Sequence, residues 1–217
     1  MSYHSISNGD FLNCTKKNIL LLLLLGGMLV CFCACVPGTK AKGDEPSTPY
    51  VWLAKNSRYI LLPTEDIDHP LDSHQLISAS FNGRDYFLNA WVKADREALN
   101  MTLINELGAN MGELSYRNGS VSFSSPVLFL PFKPEFIIAD FQFCFYQSRP
   151  LFQSLKYGDL FFEEMKTNRF EDTWTFRRIL LGDQKTKIIS IEKKSRNVIE
   201  VVNHLWGYTY TLEGDFE

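Results

Sequence analysis

Between Tyr59 and Leu212 apolar side chains recur at every second position in short runs, and turn residues break the runs at close intervals. A period of two marks a strand with one face buried and the other wet. The runs predict strands at Tyr59–Leu62, Leu76–Phe81, Tyr86–Ala94, Leu99–Asn105, Met111–Tyr116, Ser120–Ser124, Trp174–Leu181, Lys187–Lys193, Val198–Asn203 and Tyr208–Leu212. Three of the joins, Asn82-Gly83, Asn118-Gly119 and Gly182-Asp183, hold residues that tolerate the positive φ of a tight hairpin. Successive strands joined by short turns give an antiparallel meander that curls around an interior. The expected fold class is mainly β (α+β): an antiparallel open β-barrel or half-barrel of about ten or eleven strands, closed by one or two apolar helices.

One stretch departs from the period. Pro131-Phe132-Lys133-Pro134 opens a segment, Glu135–Gln147, that suits a helix with Pro134 in its first turn. Ile137, Phe141, Cys144 and Phe145 form one stripe, and Phe136, Ile138, Phe143 and Tyr146 leave almost no polar face. A helix apolar on all sides is buried or touches lipid. The alternation of Phe141, Phe143 and Phe145 keeps a strand open as the other reading. A second short helix is expected at Pro150–Lys156, ending before Gly158.

Ahead of the strands, Lys16 and Lys17 precede the leucine run Leu20–Leu25, the arrangement of a charged and then an apolar region of a secretion signal. The apolar stretch Ile19–Ala34 is about 16 residues, short of the roughly 20 that span a bilayer core. An uncleaved membrane helix is the alternative. Cys35 follows the small Ala34, whereas Cys31 and Cys33 follow the bulky Val30 and Phe32. The segment resembles a lipobox, with Phe32 and Cys33 departing from the usual leucine and small residue. That resemblance implies cleavage before Cys35, diacylglycerol on its sulfur and a third acyl chain on its new amino group; two or more chains anchor a protein stably. Val36 in the next position, where Asp would retain the protein, implies passage to the outer membrane. Pro37, Gly38, Gly43, Pro46 and Pro49 then prevent any regular element. The expected organisation is a signal peptide over 1–34, a flexible tether over 35–50 and one periplasm-facing domain over 51–217.

Charge and motifs exclude several function classes. The chain has 22 basic and 25 acidic side chains, and Lys16, Lys17 and Asp10 belong to the leader, so the remainder is mildly acidic. Nucleic-acid binding draws on a basic excess gathered on one face, and none is visible. There is no Gly-x-Ser-x-Gly elbow, phosphate-binding loop or His-Glu-x-x-His. Cys144 is the one thiol past Cys35, which precludes an internal disulfide if Cys35 is acylated; it reads as a small buried hydrophobe, with a reactive thiol as the alternative. His204 pairs with Cys144 only by residue type. The cluster Glu65-Asp66-Ile67-Asp68-His69-Pro70-Leu71-Asp72-Ser73-His74 has ligand atoms for a divalent ion but lacks the glycine and distal glutamate of a calcium loop, and reads as a solvated loop. No catalytic residue, metal or cofactor is expected.

The remaining peculiarity is apolar surplus, with 17 phenylalanines. Alternation points Leu88, Trp91, Leu103, Leu114, Ile137, Phe141, Phe145 and Phe176 inward, as the lining of a hydrophobic cavity. A half-barrel of this kind either packs its interior solid or holds a hydrophobic ligand.

Glu106-Leu107-Gly108-x-x-Met111-Gly112-x-Leu114-Ser115-Tyr116, then Leu130-Pro131-x-Lys133-Pro134-Glu135-Phe136-x-x-Ala139-Asp140-x-Gln142, and the ending Asn203-x-x-Trp206-Gly207-Tyr208-x-Tyr210-x-Leu212 resemble a family of bacterial lipoproteins with a domain of unknown function, often encoded beside aryl polyene biosynthesis genes. The order of strands, apolar helix and further strands is similar to the lipoprotein carriers LolA and LolB, half-barrels whose apolar concave face accepts acyl chains. These resemblances imply a LolB-like outer-membrane lipoprotein that binds or transfers an acyl chain, lipid or polyene lipid without catalysis. Its expected partners are the membrane, through lipidated Cys35, and a hydrophobic ligand. The alternative is a structural or interaction lipoprotein with a filled core and an envelope protein as partner.

Overall fold

Alternation along the chain becomes strand pairing in space. The computed structural model describes residues 48–81, 83–126, 133–166, 174–182 and 185–216. The leader, Cys35 and the tether up to residue 47 lie outside the described residues. In chain order the elements are β1 (Tyr50–Ala54), β2 (Ser57–Ile60), β3 (Leu71–Phe81), β4 (Arg84–Ala94), β5 (Leu99–Ile104), β6 (Asn110–Arg117), β7 (Ser120–Ser124), helix α1 (Pro134–Phe145), helix α2 (Ser148–Tyr157), β8 (Leu160–Lys166), β9 (Trp174–Leu181), β10 (Thr186–Ser195), β11 (Val198–Asn203) and β12 (Tyr208–Gly214). Ten strands form one sheet in the order β7-β6-β5-β4-β3-β12-β11-β10-β9-β8, and β1 pairs with β2 as a separate hairpin. Every pairing is antiparallel. The sheet is thus two meanders, β3–β7 and β8–β12, zipped together where β12 meets β3, and it does not close: β7 and β8 are its edges.

Register places the apolar set on one face. Ala90 and Val92 of β4 stand opposite Leu103 and Met101 of β5, and Met101 stands opposite Leu114 of β6, all buried. In the second meander Ile189 and Ile191 of β10 pair with Asn203 and Val201 of β11 on the same face, again buried. The Asn118-Gly119 turn between β6 and β7 has φ of 50° and 71°, as the expected tight hairpin requires.

Helix α1 follows β7 at one sheet edge and α2 leads into β8 at the other, so the two helices carry the chain across the concave face. The predicted absence of a polar face on α1 is met by burial: every residue from Ile138 to Cys144 is buried. Gln142 is fully buried and fully used. Its Oε1 accepts from the Tyr59 hydroxyl at 2.8 Å and from the Leu62 amide at 3.0 Å, and its Nε2 donates to the Leu62 carbonyl at 2.7 Å. That same carbonyl accepts from the Tyr116 hydroxyl of β6 at 2.9 Å. On the other side Arg177 of β9 donates to the carbonyls of Phe143 and Cys144, at 2.7 Å and 3.2 Å, satisfying acceptors that the helix end leaves open. One helix therefore reaches β6 through Leu62 and β9 directly, which only a curved sheet allows.

Three parts differ from the expectation. Strand β8 was not predicted, because Leu-Phe-Phe-Glu-Glu-Met-Lys pairs like with like instead of alternating. Strand β1 begins at Tyr50, where the tether was expected to end, and its Tyr-Val-Trp-Leu-Ala run shows no polar partner positions. The cluster Glu65–His74 is only partly a loop: Thr64–Asp66 form a 3₁₀ turn, and Leu71–Gln75 begin β3 with Asp72 and His74 outward and Ser73 and Gln75 buried. Buried Ser73 and Gln75 alternating with exposed Asp72 and His74 invert the alternation signal, and Gln75 donates to the Ser73 hydroxyl at 3.1 Å.

Gly158, at the end of α2, lies so near β2 that a Cβ there would sit 2.1 Å from the Arg58 carbonyl oxygen. Its φ of −97° is open to any residue, so close approach alone requires glycine. Gly158→Ala must push α2 away from the backbone of β2, at a cost of about 2 kcal/mol by overpacking. Urea unfolding of this variant is expected to show a lower midpoint at unchanged slope.

Candidate functional site

Of the residues expected to line a cavity, Leu103, Leu114 and Phe141 are buried in the continuous core, and Ile137 and Phe145 pack against it half-buried. Phe145 lies 4.7 Å from Phe141 and 5.4 Å from Phe216 between ring centres. Leu88 is half-buried on the same concave face, opposite Ile77. Two assignments are corrected. Trp91 is 52% exposed on the convex face, opposite His74, because Ala90 and Val92 set the inward phase of β4. Phe176 also lies on the convex face, where the Arg178 guanidinium covers its ring at 4.3 Å. The inward positions of β9 are Arg177 and Ile179, so a buried arginine reverses the phase that apolarity alone suggests.

An open apolar groove of about 580 Å³ lies instead between two hairpin tips, lined by Trp52, Ala54, Lys55, Asn56, Leu205 and Trp206. Strand β1 supplies one wall. Val51 and Leu53 point into the core, which leaves Tyr50 and Trp52 on the outer side, 43% and 47% exposed, with their rings edge to face at 5.8 Å. The opposite wall is the β11–β12 turn, Asn203-His204-Leu205-Trp206-Gly207. Buried Asn203 builds it: its Oδ1 accepts from the amides of Leu205 at 3.1 Å and Trp206 at 2.8 Å, and its carbonyl accepts from the Gly207 amide at 2.9 Å. Gly207 takes a φ of 66° to close the turn. Leu205 and Trp206 are thereby held half-exposed, at 54% and 51%.

Behind the groove Trp206 meets Phe136, in the first turn of α1, edge to face at 6.0 Å. One turn further, the Tyr208 hydroxyl donates to Asp140 Oδ2 at 2.8 Å. Burial pushes the Asp140 carboxyl up to about 7, against the opposing effect of hydrogen bonds from Tyr208 and Tyr210. A carboxyl in so dry a setting is thus held near its midpoint at neutral pH.

The other sequence candidates are not brought together. Cys144 is buried in α1, and burial pushes its thiol well up from its ordinary range. His204 is exposed in the β11–β12 turn, with its Nε2 2.9 Å from the Ser190 hydroxyl on the convex side. Among the described residues no three His, Cys, Asp or Glu side chains converge as metal ligands. Cys35 lies outside the described residues.

Sequence reasoning missed the groove. Its signal was a leucine and a tryptophan at a hairpin tip, where polar turn residues are the rule, together with Trp52 near the start of the domain.

No curated protein matches the chain significantly. Solved structures that resemble it include a domain described as that of an outer membrane lipoprotein-sorting protein from Vibrio parahaemolyticus, at 10% identity and a TM-score of 0.31, covering 66% of this chain and 83% of that one. A DUF1329 family protein from Desulfovibrio piger shares 8% identity at a TM-score of 0.26, covering 70% of this chain and 87% of that one. Over residues 72–214, most of the ten-stranded sheet and both helices, the chain matches the family described as protein of unknown function DUF3261, and it belongs to that family.

Proposed function

We propose that this chain is a lipid-anchored, outer-membrane protein of the cell envelope that binds a hydrophobic ligand, without catalysis, in the groove between Trp52 and Trp206. The observation that carries this reading is an apolar recess of about 580 Å³, walled by two tryptophans and a leucine that the fold leaves half-exposed. That volume is within the range of small-molecule sites. Burying apolar ligand surface there contributes roughly 25 cal/mol for each Å² removed from water, and Lys55 is the one charged side chain among the residues that line the groove. An acyl chain, or the tail of a polyene lipid, has the chemistry to fill it.

Titration of a fluorescent fatty acid into the Cys35→Ser chain, read through tryptophan-to-probe energy transfer, tests the proposal. Trp206→Ala is expected to weaken binding about tenfold, equivalent to about 1.4 kcal/mol. Trp91→Ala, on the convex face, is expected to leave affinity unchanged. Equal affinity of wild type and Trp206→Ala overturns the assignment of the ligand to this groove.

The continuous packing of Leu103, Leu114 and Phe141 into the core favours a second reading, an interaction lipoprotein whose partner is another envelope protein. It predicts no saturable binding of the fatty acid by the wild-type chain.

A further inference from the structure

We infer that the groove edge is a bilayer-docking surface, with Trp52, Leu205 and Trp206 seated at the headgroup boundary and Lys55 and Arg58 directed to lipid phosphates. The inference rests on the reading of Cys35 as an acylated anchor and goes beyond ligand binding by naming what the groove faces. The two hairpin tips at this edge, β1–β2 and β11–β12, expose three large apolar side chains beside one another. Tyr50 extends the aromatic row along β1, under the Arg58 guanidinium at 5.8 Å. Lys55 and Arg58 form no ion pair among the described residues, in a chain whose net charge is −3. Tryptophan and tyrosine backed by lysine or arginine is the residue set that settles at a membrane interface, because rings lie among the acyl ends while cations meet phosphates.

Connectivity selects a bilayer over a soluble partner. About 15 residues separate Cys35 from Tyr50, a length whose reach is at most about 50 Å. The anchored end therefore enters the domain at β1, the strand that carries Tyr50 and Trp52. The exposed apolar group Leu76, Phe87 and Trp91 on the convex face of β3 and β4 lies past β1 and β2 in the chain, and its neighbouring cation, Lys93, stands opposite Asp72.

The test uses the mature chain purified from membranes, its acylation verified by intact mass, and reconstituted in phosphatidylethanolamine and phosphatidylglycerol vesicles containing increasing fractions of brominated phospholipid. Two of the four tryptophans lie at this edge, so brominated lipid is expected to quench roughly half the emission, rising with its mole fraction. The Trp52→Phe/Trp206→Phe pair should abolish the quenching and Trp91→Phe should retain it. Lys55→Glu with Arg58→Glu should lower it in anionic vesicles and leave it unchanged in zwitterionic ones.

Quenching that persists in the tryptophan pair variant, or no quenching in the wild type, overturns the docking surface. So does quenching that saturates at one brominated lipid per protein, which signals a captured ligand and leaves the groove-binding proposal standing. An unacylated chain overturns the inference at its base. Failure of fatty-acid binding in the vesicle-free assay removes the ligand proposal while docking is still read by the vesicles.

Discussion

Arg177→Met is expected to destabilise the domain by about 3–5 kcal/mol, the cost of removing one partner from a buried ion pair. Arg177 is only 2% exposed, and its Nε donates to Glu164 Oε2 at 2.9 Å. Its Nη1 donates to the carbonyls of Phe143 and Cys144, and its guanidinium lies 4.4 Å above the Trp174 ring. Burial draws the guanidinium below its ordinary range, and Glu164 opposes that shift, as expected of a cation kept charged by its partners. Methionine fills the volume but supplies no donor. Among the described residues it leaves Glu164, 13% exposed, with the Ser148 hydroxyl as its hydrogen-bond donor, and it leaves the last carbonyls of α1 without the Arg177 donor.

A double-mutant cycle separates charge from packing. Glu164→Leu together with Arg177→Met replaces the pair by apolar groups, and the double variant is expected to be more stable than Arg177→Met alone. Urea denaturation of the three variants checks this. A loss below about 1 kcal/mol in Arg177→Met would show that the pair contributes nothing beyond an exposed salt bridge.

This arginine also shows where sequence reading fails. Strand β9 runs Trp-Thr-Phe-Arg-Arg-Ile-Leu-Leu, and alternation by apolarity turns Phe176 inward, although the carbonyls at the end of α1 call for Arg177. The β4 phase fails differently: Trp91 is the largest apolar residue of its strand, yet the small Ala90 and Ala94 face the crowded interior. Where both neighbours are decisive the reading holds. β7, β9 and β11 have the expected bounds, and Pro134 begins α1 as expected. The open, mainly antiparallel sheet with two helices was legible because turns and alternation are local. The groove was not, because it is made by two hairpin tips more than a hundred residues apart in the chain, and both are held by α1, which bonds Tyr59 and Leu62 through Gln142 and meets Trp206 through Phe136.

Asp140 provides the pH-dependent counterpart. Its carboxyl is raised from 3.8 to about 7 by burial, while in the unfolded chain it titrates near its ordinary value. Between those limits the folded state holds a proton that the unfolded state has released, so stability from this group falls as pH rises. The contribution is fully present below about pH 4 and is lost as pH passes the folded value near 7. Each unit in that window costs about 1.4 kcal/mol, so from pH 5 to pH 8 the wild type is expected to lose about 3 kcal/mol relative to Asp140→Asn. Asparagine keeps an oxygen to accept the Tyr208 hydroxyl and cannot ionise. Unfolding free energies of both chains, measured in urea at half-unit intervals from pH 4.5 to 8.5, should diverge steadily and run parallel above about pH 7.5. Parallel curves throughout would mean that Asp140 ionises freely in the folded state, and that the contact between α1 and β12 behind Trp206 carries no proton.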